Sequence, residues 1–327
     1  MKETQVLAVD DPLTIEHPDG VTTIDAAYIR PGFAASHLII ENDHAAFVET
    51  GTSFSVPGLL AVLEKKGIAR ENVDYVMVTH VHLDHAGGAG ALLQHLPNAD
   101  LVVHPRGARH MVDPSKLVEG TALLYGRERF QSLYGEVVPV PEDRLLVAGD
   151  DWHLDLQGRP FYFFDAPGHA RHHYCVFDER HGNFFAGDNF GVSYRELDHH
   201  NGPFIFPATT PVQFDPVAMH RTLDRIVAQK PRNAFLTHFG RVTDLPRLAD
   251  DLRRRLDLFV ELAEGLRNRK ESLREELEKG VVRVLHQELE DHGCDLKKEE
   301  IDALLVHDCA MNAQGIETWL MRSSQKQ

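Results

Sequence analysis

The chain has 327 residues, 43% hydrophobic and 26% charged, with 34 lysines and arginines against 50 aspartates and glutamates, a formal charge of −16. That surplus disfavours duplex nucleic acid or an anionic membrane as a partner, while the hydrophobic share is ordinary for a globular chain of one large domain with an appendage, or two modest domains. Three cysteines, Cys175, Cys294 and Cys309, without a pairing pattern, no apolar leader, and no run near about 18 apolar residues make a cytoplasmic protein the expectation.

Residues 5–50 alternate short apolar runs with turn signals. The runs are Val6-Leu7-Ala8-Val9, Thr22-Thr23-Ile24-Asp25, Ser36-His37-Leu38-Ile39-Ile40 and Ala45-Ala46-Phe47-Val48, an antiparallel meander by pattern. Glu49-Thr50-Gly51 ends it. Residues 55–66 carry apolar positions at helical spacing, with Gly67 as the stop. Tyr75-Val76-Met77-Val78 reads as a buried strand, and Thr79-His80-Val81-His82-Leu83-Asp84-His85-Ala86-Gly87-Gly88 follows it directly. A helix is expected over 89–96. Three histidines and an aspartate thus crowd one strand-to-helix turn. Nitrogen and oxygen donors suit zinc, iron or manganese, and the lack of sulfur argues against a closed structural zinc site. Gly87-Gly88-x-Gly90 fits neither of the glycine-rich nucleotide loops.

His80-x-His82-x-Asp84-His85 resembles the signature of the metallo-β-lactamase fold superfamily, which includes glyoxalase II and the metal-dependent lactonases. The resemblance implies a four-layer αβ/βα sandwich over residues 1–243, with further ligands from later strand ends. Glu49 stands where the superfamily commonly has aspartate, and it is not assigned to the metal.

Continuing along the chain, Leu101-Val102-Val103-His104 is a strand, and residues 105–144 are an insertion expected to act as a lid. Its Tyr125, Arg127, Arg129, Phe130 and Tyr134 offer aromatic and cationic groups to a substrate. Pro160-Phe161-Tyr162-Phe163-Phe164-Asp165 is a strand ending in Ala166-Pro167-Gly168-His169, which resembles the Pro-Gly-His motif and implies His169 as a ligand. His173 is expected to orient a neighbour, and His172 to be exposed. Asn183-Phe184-Phe185-Ala186-Gly187 leads to Asp188, the position of a shared carboxylate. Asn233-Ala234-Phe235-Leu236-Thr237 leads to His238, matching the last ligand. Between them, Tyr194 could donate to an oxyanion, as a tyrosine does in related lactonases, while His199 and His200 read as solvated.

From Asp244 the texture changes. Leu245, Leu248, Leu252, Leu256, Phe259, Leu262 and Leu266 recur every three or four residues, which predicts an amphipathic helix entered through Thr243 or Asp244 and Pro246. Arg253-Arg254-Arg255 is expected on its wet face. Helices over roughly 280–291 and 297–309 precede Met311-Asn312-Ala313-Gln314-Gly315 and a short end segment, so residues 244–327 form a helical extension through which the chain could pair with a second copy.

By resemblance, His80, His82 and His169 hold one metal, Asp84, His85 and His238 the other, and Asp188 bridges them. Two divalent transition-metal ions are implied, zinc foremost, with iron or manganese as alternatives. Water between two cations loses a proton readily. The expectation is a dinuclear hydrolase using a metal-bridging hydroxide on a small-molecule ester, thioester or lactone, with Asp84 as proton shuttle and Tyr194 as oxyanion donor. Two other chemistries share the pattern: a non-hydrolytic di-iron oxygen-binding sensor, and a mononuclear iron oxygenase like the persulfide dioxygenases.

Overall fold

The structure is a computed structural model describing residues 11–209, 212–269 and 272–324. The expected strand over residues 6–9 lies outside the described residues. Runs rich in β-branched and aromatic residues form the first sheet: β1 (Thr14–Glu16), β2 (Val21–Asp25), β3 (Ala35–Glu41) and β4 (His44–Val48), antiparallel in sequence order. Asn42 and Asp43 close the β3–β4 hairpin with φ of 48° and 63°, the left-handed pair that a two-residue turn needs. After β4 the pairing becomes parallel, and each parallel step requires a crossover. Helix α1 (Val56–Lys65) leads to β5 (Val73–Met77), and α2 (Leu83–Ala86) with α3 (Ala89–Leu93) lead to β6 (Asp100–Val103). The insertion folds as α4 (Pro105–Val112), α5 (Ser115–Tyr125) and α6 (Arg127–Tyr134) before β7 (Leu145–Val147).

The second sheet contains β8 (Trp152–Leu156), β9 (Arg159–Asp165), β10 (Tyr174–Asp178) and β11 (Asn183–Gly187), antiparallel. Helix α7 (Pro216–Ala228) precedes β12 (Asn233–Leu236), parallel to β11, and β13 (Gly240–Val242) forms the edge. The chain then ends in α8 (Leu245–Leu266), α9 (Leu273–His292) and α10 (Lys298–Ser324).

Two compact units divide these elements. The first comprises the described residues to Asp165 with His172–Gly187 and Arg232–Arg241; the second comprises Ala166–Arg171, Asp188–Pro231 and the chain from Val242. Inside the first unit, strand alternation sorts side chains into two cores. Val21, Ile39, Ala46, Met77 and Val102 meet Leu156, Phe161, Phe163, Val176, Phe185 and Phe235 between the sheets. The alternate residues Leu38, Phe47, Val76, Leu101 and Val103 pack with Leu59, Val62, Leu63 and Leu92. Each buried valine, leucine, isoleucine, methionine or phenylalanine among them contributes about 1.5–3 kcal/mol. One charge pair is sealed in the same unit. Arg159 is fully buried and bonds Asp178 through Nη2 at 2.7 Å and Nε at 3.2 Å, while Nη1 donates to the Asp19 carbonyl.

In the second unit the leucine stripe of α8 is buried from Leu245 to Phe259 as expected, but the arginine run departs from its wet-face reading. Arg255 is 1% exposed. It lies three residues after Leu252, on the apolar face, and is compensated there: Nε donates to Glu288 at 2.9 Å, Nη1 donates to the Ile205 carbonyl at 2.6 Å, and the guanidinium lies 3.9 Å from the Phe204 ring centre. Asp244 holds the N-cap position, yet its carboxylate binds Arg247 rather than a backbone N–H. Helix α10 also runs straight through 311–315, where a break was expected. Burial of Ala313, Ile316 and Leu320 outweighs the roughly 1 kcal/mol that Gly315 costs a helix.

Candidate metal centre

The ends of β4, β5 and β12 converge on a buried carboxylate. Glu49, with φ of 65°, is 1% exposed. It accepts hydrogen bonds from the Thr79 hydroxyl, the Thr79 amide at 3.3 Å and the Thr237 hydroxyl at 3.4 Å, and lies 3.2 Å from His85 Nδ1. The motif loop is tied to the same turn by backbone. Thr50 donates to the His85 carbonyl through both its amide and its hydroxyl, and the Gly88 amide donates to the Gly51 carbonyl. Gly88 is required at this crossing, since a Cβ there would stand 2.6 Å from the Thr52 carbonyl oxygen.

On this loop His80 Nε2 and His82 Nδ1 are 2.8 Å apart, and His80 Nδ1 lies 3.1 Å from the Thr79 hydroxyl. His85 Nε2 is 3.7 Å and His238 Nε2 3.5 Å from Asp84 Oδ2. Asp84, His85 and His238 therefore offer atoms within 4.8 Å of one another, as do Glu49, His80 and His85. His238 Nδ1 donates to the Phe33 carbonyl at 2.8 Å, and the Phe33 ring packs edge-on against it. In the second unit His169 Nδ1 donates to the Ala208 carbonyl at 2.8 Å, its amide donates to Asn189 Oδ1, and its Nε2 lies 3.2 Å from Asp188 Oδ2.

The residues fit a transition metal on their own chemistry. His85 sits with Nδ1 3.2 Å from Glu49 and Nε2 3.7 Å from Asp84, and in His238 and His169 one ring nitrogen donates to a backbone carbonyl while the other lies beside an aspartate. That is how a protein fixes the tautomer and aim of a metal-binding imidazole. His173 is fully buried and stacks on His80 with ring centres 4.8 Å apart, and Gly187 makes room for it: a Cβ would lie 2.5 Å from His173 Nε2. His172, expected to be exposed, is only 8% so; it stacks parallel to His80 and edge-on to His82. An imidazole can pack its ring on neighbours while keeping a polar edge, so the polar count alone misplaces it.

Tyr194 is fully buried in the second unit, where its hydroxyl donates to Asp308 of α10 at 3.0 Å. His199 pairs with Asp295, and His200 is exposed. Within the insertion, Phe130 and Tyr134 are buried, while Arg127 and Arg129 are exposed. Tyr125 is half-buried, and burial followed by the Asp84 charge pushes its phenol up to about 12. Three residues of the first unit carry little signal in their type. Glu49 reads as a turn residue, and Tyr28 as a loop aromatic. His104 caps α4, accepting from the Arg106 amide through Nδ1 and donating to Asp165 through Nε2 at 2.8 Å. A glutamate just before Thr-Gly at a strand end was the one readable hint.

Histidines and carboxylates gathered at the strand ends of a two-sheet sandwich define a class of metal-binding α/β protein. The model of the metallo-β-lactamase superfamily matches residues 29–238, and the chain belongs to that superfamily. The fold is its αβ/βα sandwich, followed by C-terminal helices. The metallo-beta-lactamase fold-containing protein ST1585 of Sulfurisphaera tokodaii is 25% identical over 236 residues, 71% of this chain and 82% of that one. The crystal structure of ST1585, reported for Sulfolobus tokodaii, superposes with a TM-score of 0.59 at 24% identity over 73% of this chain and 86% of that one. Hydroxyacylglutathione hydrolase of Salmonella paratyphi B is 24% identical over 159 residues, and the match spans 48% of each chain, about half the length of that relative. The Flv1 flavodiiron core of Synechocystis sp. PCC6803 shares the fold at a TM-score of 0.53 and 17% identity, over 77% of this chain and 62% of that one. Among the described residues, no helix is long and apolar enough to cross a membrane.

Proposed function

We propose that the chain is a metal-dependent hydrolase of a small ester, thioester or lactone. In this reading His80, His82 and His169 hold one metal, Asp84, His85 and His238 a second, and Asp188 is shared. The observation that carries it is the anchoring of the outer nitrogens of His238 and His169 on backbone carbonyls, which leaves their inner nitrogens beside aspartates. Covalent order supports the same set, because Asp188 follows Gly187 directly and His169 stands four residues after the end of β9. The hydrolase relatives, named for a hydroxyacylglutathione, favour acyl transfer to water.

Divalent metal in such a site supplies a water acidified to near neutrality and a Lewis acid for the carbonyl oxygen. The protein supplies aim and proton handling. Glu49 keeps a carboxylate 3.2 Å from His85 Nδ1, placed to orient that ring. Asp84, with a side chain 21% exposed, can take a proton from the attacking water and return it to the leaving group. No serine or cysteine nucleophile is needed.

The deciding experiment strips the metal, restores zinc or ferrous iron separately, and assays lactones, thioesters and phosphodiesters without oxygen. Zinc-form cleavage of at least one ester-like substrate is expected, with about two metal equivalents per chain, reduced by His238→Ala. An inert zinc form beside an iron form whose spectrum responds reversibly to oxygen would replace this reading with the di-iron one. A single equivalent unchanged by added metal would favour the mononuclear oxygenase.

A further inference from the structure

We propose that Asn312 of α10 is a positioning residue for His169: by fixing Thr209 it places the Ala208 carbonyl that aims the His169 ring. The proposal rests on the reading of His169 as a metal ligand and assigns the C-terminal extension its part in that site.

The turn that carries His169 is held from several sides within the second unit. The Asn189 side chain accepts from the His169 amide at 3.1 Å and donates to the Ala166 carbonyl at 2.6 Å. The Thr222 hydroxyl donates to the Pro167 carbonyl at 2.6 Å, and the Asp215 amide to the Gly168 carbonyl at 2.8 Å. Those bonds fix the backbone, but none of them sets the ring. The ring is set through Nδ1, which donates to the Ala208 carbonyl at 2.8 Å. That bond places the ring proton on Nδ1 and presents Nε2 as the bare nitrogen, 3.2 Å from Asp188 Oδ2.

The place of the Ala208 carbonyl depends on the chain to either side of it. Before it, Phe206 pairs with Val192, amide to carbonyl in both directions, at 3.0 and 2.8 Å. Directly after it, Thr209 is fully buried and bound to α10. Its amide donates to Asn312 Oδ1 at 2.6 Å, and its hydroxyl lies 2.8 Å from the same oxygen and 3.1 Å from the Asn312 carbonyl. The two residues are 103 apart in sequence, so the contact exists only when α10 is docked. Asn312 is 3% exposed, on a helix that also buries Leu305, Cys309, Ala313, Ile316 and Leu320. Asparagine is a poor helix former and is costly to bury without a partner, so its place among these residues has a hydrogen-bonding reason, and Thr209 supplies it. Asp308, one turn earlier on α10, holds the Tyr194 hydroxyl at 3.0 Å. The helix thus grips the segment that follows Asp188 at two points, and the second point adjoins the carbonyl that aims His169.

Two readouts that involve no turnover test this in the full chain. In metal-free protein the His169 Nδ1 proton should give a hydrogen-bonded ring resonance by NMR, assigned through its loss in His169→Gln, and Asn312→Ala should broaden or abolish it. In competition with a chelator, Asn312→Ala should weaken one zinc equivalent about tenfold, the lower end of what loss of a ligand's support costs. Thr209→Val keeps the amide bond and drops the hydroxyl, and should weaken that equivalent by about threefold. Ile316→Ala, one turn further along α10 and 1% exposed, is the control. It should lower the melting temperature at least as far as Asn312→Ala, yet leave the ring resonance and the zinc affinity at wild-type values. A wild-type resonance or a wild-type zinc affinity in Asn312→Ala, or equal losses in Ile316→Ala, overturns the assignment. Absence of zinc binding by the wild type would overturn the metal-ligand reading, and the ring resonance then still decides whether Asn312 sets His169. An inert zinc form in the anaerobic assay would overturn the hydrolase reading alone.

Discussion

His37 makes the stability of the first unit acid-sensitive. It lies in β3, 1% exposed, with its ring against Phe185 and Phe235. Nε2 donates to the Leu236 carbonyl at 3.2 Å, so Nδ1 accepts from the Thr23 hydroxyl at 3.1 Å, and that hydroxyl accepts in turn from His17 Nε2 at 2.8 Å. Burial, far more than the nearby His17, lowers the pKa of His37 from 6.5 to about 3; the bond to Leu236 opposes the shift. Because the folded value lies below the unfolded one, the stabilisation is whole above pH 6.5 and is lost as pH falls towards about 3. The loss is about 1.4 kcal/mol per pH unit in that window, or about 2 kcal/mol on going from pH 6.5 to about 5. Guanidinium unfolding of wild type and His37→Gln across this range isolates the term, since glutamine keeps a donor and an acceptor without titrating. The stability difference between them should shrink by about 2 kcal/mol on acidification. A difference independent of pH, or a His37 ring that titrates near 6.5 by NMR, refutes the reasoning.

Other expectations follow from buried partners. Asp178→Asn strands the Arg159 guanidinium in the core and should cost about 3–5 kcal/mol in unfolding free energy, towards the lower end because Glu41 lies 3.8 Å from Nη1. Glu49→Gln should weaken metal binding about 10- to 100-fold in a chelator competition while leaving the folded spectrum intact. Tyr194→Phe removes a hydrogen bond from buried Asp308 and should lower stability by about 1–3 kcal/mol. A hundredfold fall in kcat with unchanged stability would instead establish Tyr194 as an oxyanion donor.

The loops that carry the candidate ligands were legible because strand ends announce themselves. β-branched and aromatic runs stop at His80, Asp188 and His238, and a two-residue period leaves little freedom in where a strand points its last side chain. The α8 stripe was legible for the matching reason at helical period. What escaped has a common cause: a polar residue's burial depends on partners far away in sequence. Arg255 looks like its neighbours Arg253 and Arg254 until Glu288, 33 residues on, is brought beside it. His172 looks exposed until the ring of His80 arrives. Glu49 looks like a turn residue until Thr237, 188 residues later, closes over it. The expected helix over 297–309 stops short of Met311–Gly315, whereas α10 runs on, because local propensity cannot count the apolar contacts that a long helix gathers.

Glu49 also sets a clock. One of its donors, Thr237, belongs to a strand end made much later than the first sheet. At about 5–20 residues per second, a ribosome needs roughly 10–40 s to travel from one to the other. During that interval His80, His82, Asp84 and His85 are already synthesised, whereas His238, whose ring the Phe33 carbonyl holds, is not. On the proposed ligand set, early metal capture would therefore meet an incomplete cage, with the Thr237 donor to Glu49 still missing. On the same set, the second metal would be held only once His238 is made.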